Sequence, residues 1–464
     1  MNSNLDLLLV EPSLDWEKSL QRLDSRRIDK KEDYKEGLKI STGYLVAAVK
    51  ESGHKVKFID MVVEEMNIND LIKYIEENNP RVIGMSSFTF QIPIIFKLFH
   101  IIKKRFSHII LCIGGCHASA LPEETLNSCS DIDFLFKGEA ETNLPLVLDR
   151  IESGLDFSDI AGVFMRGKEA SNDILVEDVN NTPFPAWEEF HISRYSNDPD
   201  FPDRKITLPV LTGRGCPFRC IFCCRQSGGK CRRRKVESVI EEIERNVKEF
   251  NCDTIGFIDE TFILNKKWIN EFIELMVYSG LYKKVKWATS TRADSVSLDL
   301  LKELKRVGCY NMQYGFESGN PKTLKIINKG TTVEQMENAI KWTKQVKIAP
   351  NIPIMIGLPG ETREDVIRSI KWGTSLNAYS ITFPILVPYP GTEVRRMALA
   401  GEYGMRIISD DWKEYLANDQ SLYGGGDIGH LESSELSWKE RIELQKYGYS
   451  LNPKKNISKY IESL

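Results

Sequence analysis

The sequence predicts an α/β protein in which two successive βα domains precede a mainly helical region. Short apolar runs alternate with amphipathic stretches through residues 1–155, and the alternation resumes more regularly through residues 201–395. Hydrophobic residues make up 42% and charged residues 28% of the 464-residue chain, which is typical of a globular protein with a large core. We therefore expect an N-terminal doubly wound, Rossmann-like domain with both sheet faces covered, and then a second βα domain.

The elements of the first domain follow from hydrophobic periodicity. Short apolar or alternating runs predict strands at 5–10, 55–61, 81–88, 108–115 and 132–136. Period-3.6 patterns predict helices at 43–53, 68–79, 92–106, 122–128 and 142–154. A hairpin of 160–166 with 173–177, and a linker that begins at Thr182-Pro-Phe-Pro-Ala-Trp, are predicted within residues 156–200.

The second domain repeats the pattern six times. Strands are predicted at 206–212, 254–259, 286–292, 312–317, 351–357 and 381–388. Helices are predicted at 236–250, 267–279, 298–307, 332–346 and 364–375. Six units are too few for an eight-unit barrel, so we expect a partial (β/α)6 barrel of the TIM type, with ligands beyond the carboxyl ends of its strands. Residues 396–464 are predicted to form a mainly helical C-terminal cap over the substrate, with a mobile loop at Gly424-Gly-Gly.

Charge and composition exclude several classes of protein. Lys plus Arg (62) against Asp plus Glu (66) gives a net charge of −4, which excludes a generally basic nucleic-acid binder. No window approaches the length of apolar sequence that a transmembrane helix needs. The acidic N-terminus runs directly into a strand, so we expect no signal peptide and a cytoplasmic protein. The ten cysteines then suggest metal or redox chemistry before disulfides.

Cysteine spacing marks a candidate metal site. Gly213-Arg-Gly-Cys-Pro-Phe-Arg-Cys-Ile-Phe-Cys places Cys216, Cys220 and Cys223 in a C-x3-C-x2-C loop beyond the first strand of the second domain. Three thiolates from one loop can hold three irons of a four-iron, four-sulfur cluster and leave the fourth iron open. The alternative is a structural zinc site with four closed ligands, for which Cys224 is badly placed because it adjoins Cys223.

This motif, the aromatic Phe222 before its third cysteine and the six βα units together resemble the radical S-adenosylmethionine (SAM) superfamily over residues 205–395. The resemblance implies a 4Fe–4S cluster whose fourth iron is chelated by SAM. Electron transfer to SAM then yields a 5′-deoxyadenosyl radical. The resemblance also implies SAM contacts near the strand ends, from Phe222, Asp259, Glu260, Arg292, Glu317, Ser318, Gly357 and Pro388.

Some of these residues have simpler explanations. Asp259 and Glu260 can accept hydrogen bonds from the SAM ammonium group, or they can cap a helix. Arg292 can bind the SAM carboxylate through two parallel hydrogen bonds, or it can form a surface ion pair. The basic run Arg232-Arg-Arg-Lys is expected to be a solvated face, with a site for an anionic substrate as the alternative. Cys112, Cys252 and Cys309 are expected to be core residues.

The strand ends of the first domain carry small and polar residues. Ser86-Ser-Phe-Thr, Gly114-Gly-Cys-His and Gly138-Glu-Ala-Glu follow its third, fourth and fifth strands, where glycines admit a bulky ligand or simply form turns. Over residues 1–155 this pattern resembles the cobalamin-binding domain that precedes the barrel in cobalamin-dependent radical SAM enzymes. The resemblance implies cobalamin contacts from Pro12, Ser86, Ser87, Gly114, Gly115, His117, Gly138 and Glu139.

One departure concerns the cobalt ion. Methionine-synthase-type domains carry D-x-H-x-x-G after the first strand, whereas this chain has Glu11-Pro-Ser-Leu-Asp-Trp. We therefore expect cobalamin with its dimethylbenzimidazole tail displaced and no histidine below the cobalt. His54 and His117 are expected to have structural or tail-binding roles.

The resemblance implies a two-cofactor enzyme, and we expect it to methylate an unactivated carbon. One SAM would methylate cobalt, and another would generate the radical that abstracts hydrogen from the substrate. The alternative is a radical cyclisation, ring rearrangement or carbon–carbon coupling without methyl transfer, with or without cobalamin. A sensor without turnover and a methylthiotransferase are disfavoured. The expected partners are a small-molecule or natural-product substrate and a reductant such as flavodoxin or ferredoxin.

Overall fold

The computed structural model describes residues 5–13, 37–168, 175–195, 206–225, 227–415, 430–452 and 457–464. The chain divides into two compact units. The first unit comprises residues 1–196 and 411–415, and the second comprises residues 197–410 and 416–464. None of the helices in these described ranges is long and apolar enough to cross a membrane.

The first unit contains a six-stranded sheet in the order β2-β1-β3-β4-β5-β6. The strands are β1 (Leu5–Glu11), β2 (Val56–Asp60), β3 (Pro80–Ser86), β4 (Ile110–Gly114), β5 (Phe134–Phe136) and β6 (Val163–Phe164). The helices are α1 (Ile40–Glu51), α2 (Ile68–Asn78), α3 (Ile92–Arg105), α4 (Cys116–Ala120), α5 (Pro122–Ser128) and α6 (Asn143–Glu152). Strands β1–β5 are parallel. The central β1 is almost wholly buried between its two neighbours, which accounts for its continuous apolar run.

Helices cover both faces of this sheet. Leu8 and Val10 of β1 pack with the apolar sides of α2 and α3 in one cluster. Leu7 and Leu9, which point the other way, are buried outside that cluster, as are the apolar residues of α1 and α6. The predicted doubly wound architecture is therefore confirmed, with strand boundaries shifted by only a few residues.

The segment after α6 differs from the prediction. Its strand β6 pairs antiparallel with β5, and residues 175–177, which were expected to form the second hairpin strand, are not in a strand. Residues 173 and 174 of that prediction lie outside the described ranges. The expected linker belongs to the first unit because its aromatic side chains are buried there: Trp187 contacts Phe190, and Phe190 contacts Phe58. The Tyr195 hydroxyl also donates to Asp60 Oδ2 at 3.0 Å.

The second unit contains a parallel six-stranded sheet in strictly sequential order, with β7 and β14 at its open edges. The strands are β7 (Thr207–Val210), β10 (Thr254–Phe257), β11 (Lys286–Thr291), β12 (Cys309–Tyr314), β13 (Ala349–Pro353) and β14 (Ser380–Thr382). Two short strands, β8 (Gly213–Arg214) and β9 (Arg232–Arg233), pair beside the sheet. The helices are α7 (Val236–Phe250), α8 (Lys266–Tyr278), α9 (Leu298–Arg306), α10 (Pro321–Ile326), α11 (Val333–Gln345) and α12 (Arg363–Ser375). This order and the open edges are those of the predicted partial barrel.

The C-terminal region contains α13 (Glu393–Leu399), the paired strands β15 (Arg406–Ile407) and β16 (Leu431–Glu432), α14 (Trp438–Leu451) and α15 (Ile457–Ser463). Helix α15 buries Ile457 and Tyr460 against Tyr310 and Tyr379 of the second unit. The glycine run at 424–426 lies outside the described residues, so the predicted mobile loop stays a prediction.

Candidate active site

The three motif cysteines lie in the loop that joins β8 to β9. The antiparallel pairing of these strands closes the loop at its base. Gly215 has a φ of +89°, and a Cβ atom there would lie 2.3 Å from the carbonyl oxygen of Lys230. Only glycine permits this close approach, so the glycine before Cys216 is a structural requirement of the loop. A hydrogen bond of 3.2 Å from Ile221 N to Ile327 O fixes the middle of the loop.

Exposure separates the motif thiols from the core cysteines. Cys223 is exposed, and Cys216 and Cys220 are partly exposed. The buried cysteines are Cys112, Cys129, Cys252 and Cys309. The core role predicted for Cys112, Cys252 and Cys309 is therefore confirmed.

The motif thiols fit a four-iron cluster. Burial, followed by the charges of Cys220 and Cys216, raises the pKa of Cys223 to about 11. Among the residues that the structure describes, the three sulfur atoms do not form a group that could hold a single metal ion. A four-iron cluster binds each thiolate at a separate iron, so the sulfurs need not meet at one point. Cys224 has its Sγ 3.9 Å from the carbonyl oxygen of Pro390, on a different element.

Asp259 and Glu260 follow β10 but have different surroundings. Asp259 is buried, and its Oδ1 accepts a 2.7 Å hydrogen bond from Thr212 Oγ1 and lies 3.6 Å from Arg233 Nη1. Glu260 is exposed, and its charge contributes to raising the pKa of Cys223. Asp259 therefore holds Thr212, just after β7, whereas the charge of Glu260 acts on Cys223 and that of Glu317 acts on Cys220.

Within the basic run at 232–235, Lys235 is exposed and Arg232 is partly exposed, so the expected solvated face is wrong only for Arg233 and Arg234, which make internal contacts. Arg233 donates to Thr212 Oγ1 and to the carbonyl oxygen of Phe262, and its guanidinium lies 4.8 Å from the centroid of the Trp268 ring. Arg234 is buried and pairs with the fully buried Glu242. Sequence patterning missed these contacts because their partners lie far along the chain or on a buried helix face.

Arg292 is buried at the end of β11, where its side chain is already engaged. Its Nε and Nη2 donate to the two carboxylate oxygens of Asp294 at 2.9 and 2.8 Å. Its Nη1 donates to the carbonyl oxygen of Lys329 at 2.8 Å, and its guanidinium lies 3.7 Å from the centroid of the Phe218 ring. The ion pair that was the alternative for Arg292 is therefore present, with a buried guanidinium and a partly exposed Asp294 carboxylate; its contact with SAM stays a prediction.

Glu317 and Ser318 follow β12 and make different contacts. Glu317 has a φ of +69°, which is rare for a residue with a side chain, and its Oε1 lies 3.1 Å from Lys329 Nζ. Ser318 is fully buried and donates to Glu361 Oε1 at 3.2 Å. Both residues therefore lie in the predicted place, with Ser318 directed into the protein.

The Gly-Leu-Pro-Gly turn after β13 depends on a residue of α14. Arg441 is completely buried and donates from Nη1 to the carbonyl oxygen of Gly357 at 2.9 Å. A Cβ atom on Gly357, whose φ is +80°, would lie 2.1 Å from that nitrogen. Glu361 accepts from Leu358 N at 3.0 Å, and burial raises its pKa to about 7. Burial also lowers the pKa of Arg441 to about 10.

The remaining predicted SAM contacts, Phe222 and Pro388, also lie in the second unit. The Phe222 ring has Lys329 Nζ 5.8 Å from its centroid. The carbonyl oxygen of Pro388 accepts from Arg395 Nη1 at 3.3 Å. Lys329, Glu361 and Arg441 were missed by sequence reasoning, because a lone lysine, glutamate or arginine carries no motif and only the fold buries them.

The predicted residues of the first unit meet at the carboxyl edge of its sheet. Ser87 Oγ donates to the carbonyl oxygen of Gly114 at 2.7 Å, which links the ends of β3 and β4. Gly115 has a φ of +91°, and a Cβ atom there would lie 2.5 Å from Ser87 N. A Cβ atom on Gly114 would meet only Phe136 Cβ, at 3.9 Å. The edge therefore has one glycine that the turn requires and one at which a Cβ atom would make only an ordinary van der Waals contact.

Of the four other predicted residues at this edge, Gly138 and Glu139 make internal hydrogen bonds. Gly138 N donates to Ser119 Oγ at 3.1 Å, and Glu139 Oε2 accepts from Val176 N at 2.6 Å. Ser86 is partly exposed, and Pro12 is buried just after β1.

The two histidines occupy opposite ends of this unit. His117 is buried with its Nδ1 3.3 Å from Thr89 Oγ1, and the Trp412 ring packs edge-on against it. His54 precedes β2, at the amino edge of the sheet, with its Nε2 3.1 Å from Asp149 Oδ1. The predicted structural role fits both histidines.

Two family models match consecutive parts of the chain. The model of the radical SAM superfamily matches residues 210–373, and that of the B12 binding domain matches residues 34–148. The chain belongs to the cobalamin-dependent radical SAM enzymes. Its cofactors are a 4Fe–4S cluster, SAM and cobalamin.

Known proteins resemble this radical SAM enzyme over most of its length. An uncharacterized methyltransferase of Pyrococcus horikoshii is 29% identical over 410 residues, which cover 86% of this chain and 85% of the relative. The anaerobic magnesium-protoporphyrin IX monomethyl ester cyclase of Cereibacter sphaeroides is 26% identical over 75% of this chain and 58% of the cyclase. The structure of the radical SAM methyltransferase TsrM from Kitasatospora setae, with cobalamin and a [4Fe-4S] cluster bound, matches with a TM-score of 0.70. The match covers 97% of this chain and 89% of TsrM at 17% identity, and it shows the shared fold.

Proposed function

We propose that this radical SAM enzyme transfers a methyl group from SAM to an unactivated carbon of a small-molecule substrate. The observation that carries the proposal is the presence, in one chain, of a three-thiol loop and a glycine-lined strand edge in separate compact units. When bound, the cluster supplies the electron that cleaves SAM, and cobalamin supplies a methyl carrier. The methyltransferase names of the Pyrococcus relative and of TsrM support this reaction.

The residues divide between these tasks. We infer that Cys216, Cys220 and Cys223 hold the cluster and that Glu260 accepts from the SAM ammonium group. Glu317 and Gly357 lie at strand ends where they would contact the rest of SAM. Asp259 and Ser318 position neighbouring chain segments, because their polar atoms are used internally.

The first unit has residues that fit cobalamin. Gly114 and Ser86, which are both partly exposed at the carboxyl edge of the sheet, would line the tail of the cofactor. We infer that the domains are 1–155 for cobalamin, 156–200 as connector, 201–395 for radical chemistry and 396–464 for substrate.

Electron paramagnetic resonance of the cobalt(II) form tests whether the dimethylbenzimidazole tail of cobalamin is displaced from the cobalt. Splitting by an axial nitrogen would contradict it.

Labelled SAM tests methyl transfer. The enzyme, purified without oxygen and loaded with cobalamin, receives SAM with a deuterated methyl group, a chemical reductant and candidate substrates. We expect 5′-deoxyadenosine and S-adenosylhomocysteine in equal amounts, with the label in the product. 5′-Deoxyadenosine without S-adenosylhomocysteine would contradict methyl transfer.

The same measurement tests the second candidate function. The similarity to the cyclase favours a radical cyclisation without methyl transfer. That reaction forms 5′-deoxyadenosine and an unlabelled product that has lost hydrogen rather than gained carbon.

We further infer that the substrate is a natural product, that flavodoxin or ferredoxin is the reductant, and that the enzyme is cytoplasmic.

A further inference from the structure

The segment that carries the motif thiols is strongly basic. Residues 213–236 contain eight Arg and Lys residues and no Asp or Glu, whereas the whole chain has a net charge of −4. The eight cations stand at positions 214, 219, 225, 230 and 232–235. The positive charge is therefore a local feature of this segment and does not follow from the composition of the chain.

Three of these cations are exposed and have no counter-charge. Arg219, Arg225 and Lys230 are exposed, and no residue that the structure describes forms an ion pair with any of them. Arg233 and Arg234, in contrast, make internal contacts. Exposed like charges repel one another and create a positive potential, which attracts an anionic partner.

These three side chains belong to the thiol loop itself. Arg219 directly precedes Cys220, and Arg225 follows two residues after the exposed Cys223. Consecutive Cα atoms are about 3.8 Å apart, so a partner that contacts these cations lies within a few residues of the thiols. The pairing of β8 with β9 closes the loop at its base, so the cations are presented on an ordered segment.

Helix α10 extends this positive region. Its two exposed lysines, Lys322 and Lys325, also form no ion pair with any residue in the described ranges. The chain after α10 is bound to the loop, because Asn328 Nδ2 donates to the carbonyl oxygen of Arg219 at 3.0 Å. We define the basic surface as the exposed cations of the loop and of α10, which are Arg219, Arg225, Lys230, Lys322 and Lys325.

We propose that the basic surface docks an acidic one-electron carrier protein, which reduces the cluster. The inference rests on the radical SAM reaction of the proposed function and gives its reductant a place on this chain. One electron leaves the reduced carrier and enters the cluster, and no bond forms or breaks and no proton moves in this step.

The position of the cations favours a carrier over an anionic substrate. The thiolates bind the cluster from the loop, whereas SAM binds the open iron that the loop does not occupy. A protein docked on the loop therefore approaches the cluster without displacing SAM, while a substrate has to reach the SAM side of the cluster. Complementary charge also steers two proteins together, as electron transfer between separate molecules requires.

The test reverses charges on the loop and uses a flavodoxin, which is an acidic carrier, as the probe. The loop variant combines Arg219→Glu, Arg225→Glu and Lys230→Glu. The control variant makes the same change of charge at exposed lysines of α11, α12 and α14 that form no ion pair within the described part of the chain. Its changes are Lys341→Glu, Lys371→Glu and Lys439→Glu.

Binding and electron delivery are measured separately on cluster-loaded protein. Isothermal titration calorimetry gives the dissociation constant of oxidised flavodoxin at ionic strengths of about 0.05 and 0.5 M. The rate of 5′-deoxyadenosine formation is measured with reduced flavodoxin and, in parallel, with reduced methyl viologen, which is a small, positively charged donor.

We expect the loop variant to bind flavodoxin at least about 10-fold more weakly at the lower ionic strength, with a similar fall in the flavodoxin-driven rate. The rate with methyl viologen should not fall, because SAM cleavage itself does not use these side chains. Wild type should lose affinity for flavodoxin as salt is added, whereas the loop variant should respond little. The control variant should behave as wild type.

Three results would overturn the proposal. Unchanged flavodoxin binding in the loop variant excludes the basic surface, and an equal loss in the control variant shows that only net charge matters. A slower reaction with methyl viologen as well assigns these cations to SAM or an anionic substrate. If the loop variant does not retain about four irons, the corresponding changes to Gln are judged by the same pattern. The labelled-methyl experiment uses a chemical reductant, so the two proposals fail separately.

Discussion

The motif cysteines can be tested against a neighbouring thiol. We expect the combined change of Cys216, Cys220 and Cys223 to Ala to abolish iron binding and SAM cleavage, because we propose that these three thiolates hold the cluster. Cys224→Ala, which removes an adjacent thiol that contacts another element, is the control and should keep the cluster. Iron content and absorption near 400 nm, measured on protein prepared without oxygen, show whether each variant keeps the cluster. Four irons in the triple variant would show that the site is elsewhere.

The buried carboxyl of Glu361 makes stability depend on pH. Burial raises its pKa to about 7, although Leu358 N, Ser318 and Arg441 favour the ionised form. An unfolded chain loses this proton near pH ~4.3, so between these values the folded state holds a proton that the unfolded state does not. The contribution of this group to folding therefore decreases as pH rises from about 4 to 7.

Glu361→Gln measures that contribution, because the amide does not titrate. We expect the unfolding free energy of wild type, relative to Glu361→Gln, to fall by up to about 3 kcal/mol between pH 4.5 and 7.5. Urea unfolding of both proteins across this range provides the measurement. A difference that is constant with pH would mean that the carboxyl has an ordinary pKa.

Among the elements, helix α14 supports the turn after β13 through one side chain. Arg441→Met removes the donor to Gly357 O and leaves Glu361 without its nearby positive charge. We expect a destabilisation of about 1–3 kcal/mol, because a buried carbonyl oxygen loses its charged donor, and a SAM dissociation constant raised severalfold. Arg363→Met breaks an exposed pair at 3.5 Å between Arg363 of α12 and Glu443 of α14. This control should change stability by less than about 1 kcal/mol and leave SAM binding unchanged.

The elements also show what the sequence could predict. Strand and helix positions were predictable because burial on both faces gives β1 a continuous apolar run, and burial on one face gives α3 a helical spacing of apolar residues. The cysteine motif was predictable because its ligands are local in sequence. Pairings such as that of Arg233 with Asp259 were not predictable, because residues far apart in sequence meet only after folding. The hairpin after α6 was wrong for the same reason, since β6 joins a sheet edge formed earlier in the chain.

At the scale of the whole molecule, two units with separate sheets should lose their cofactors independently. Gly114 is the position at which to test this. A Cβ atom there would make only an ordinary contact of 3.9 Å with Phe136 Cβ, so a side chain can be added at this position without a clash at Cβ. Gly115 is unsuitable because its φ is +91° and a Cβ atom there would meet backbone at 2.5 Å.

We therefore expect Gly114→Trp to block the space for the cobalamin tail and to reduce cobalamin binding at least tenfold, while the 4Fe–4S cluster and SAM cleavage remain. Gly114→Ala adds only one methyl group at the same position, so it should keep cobalamin and act as the size control. Cobalt content, iron content and 5′-deoxyadenosine formation are measured on the same preparation. Normal cobalamin content in Gly114→Trp would place the tail elsewhere on the sheet edge, whereas loss of iron as well would show that the two units do not fold independently.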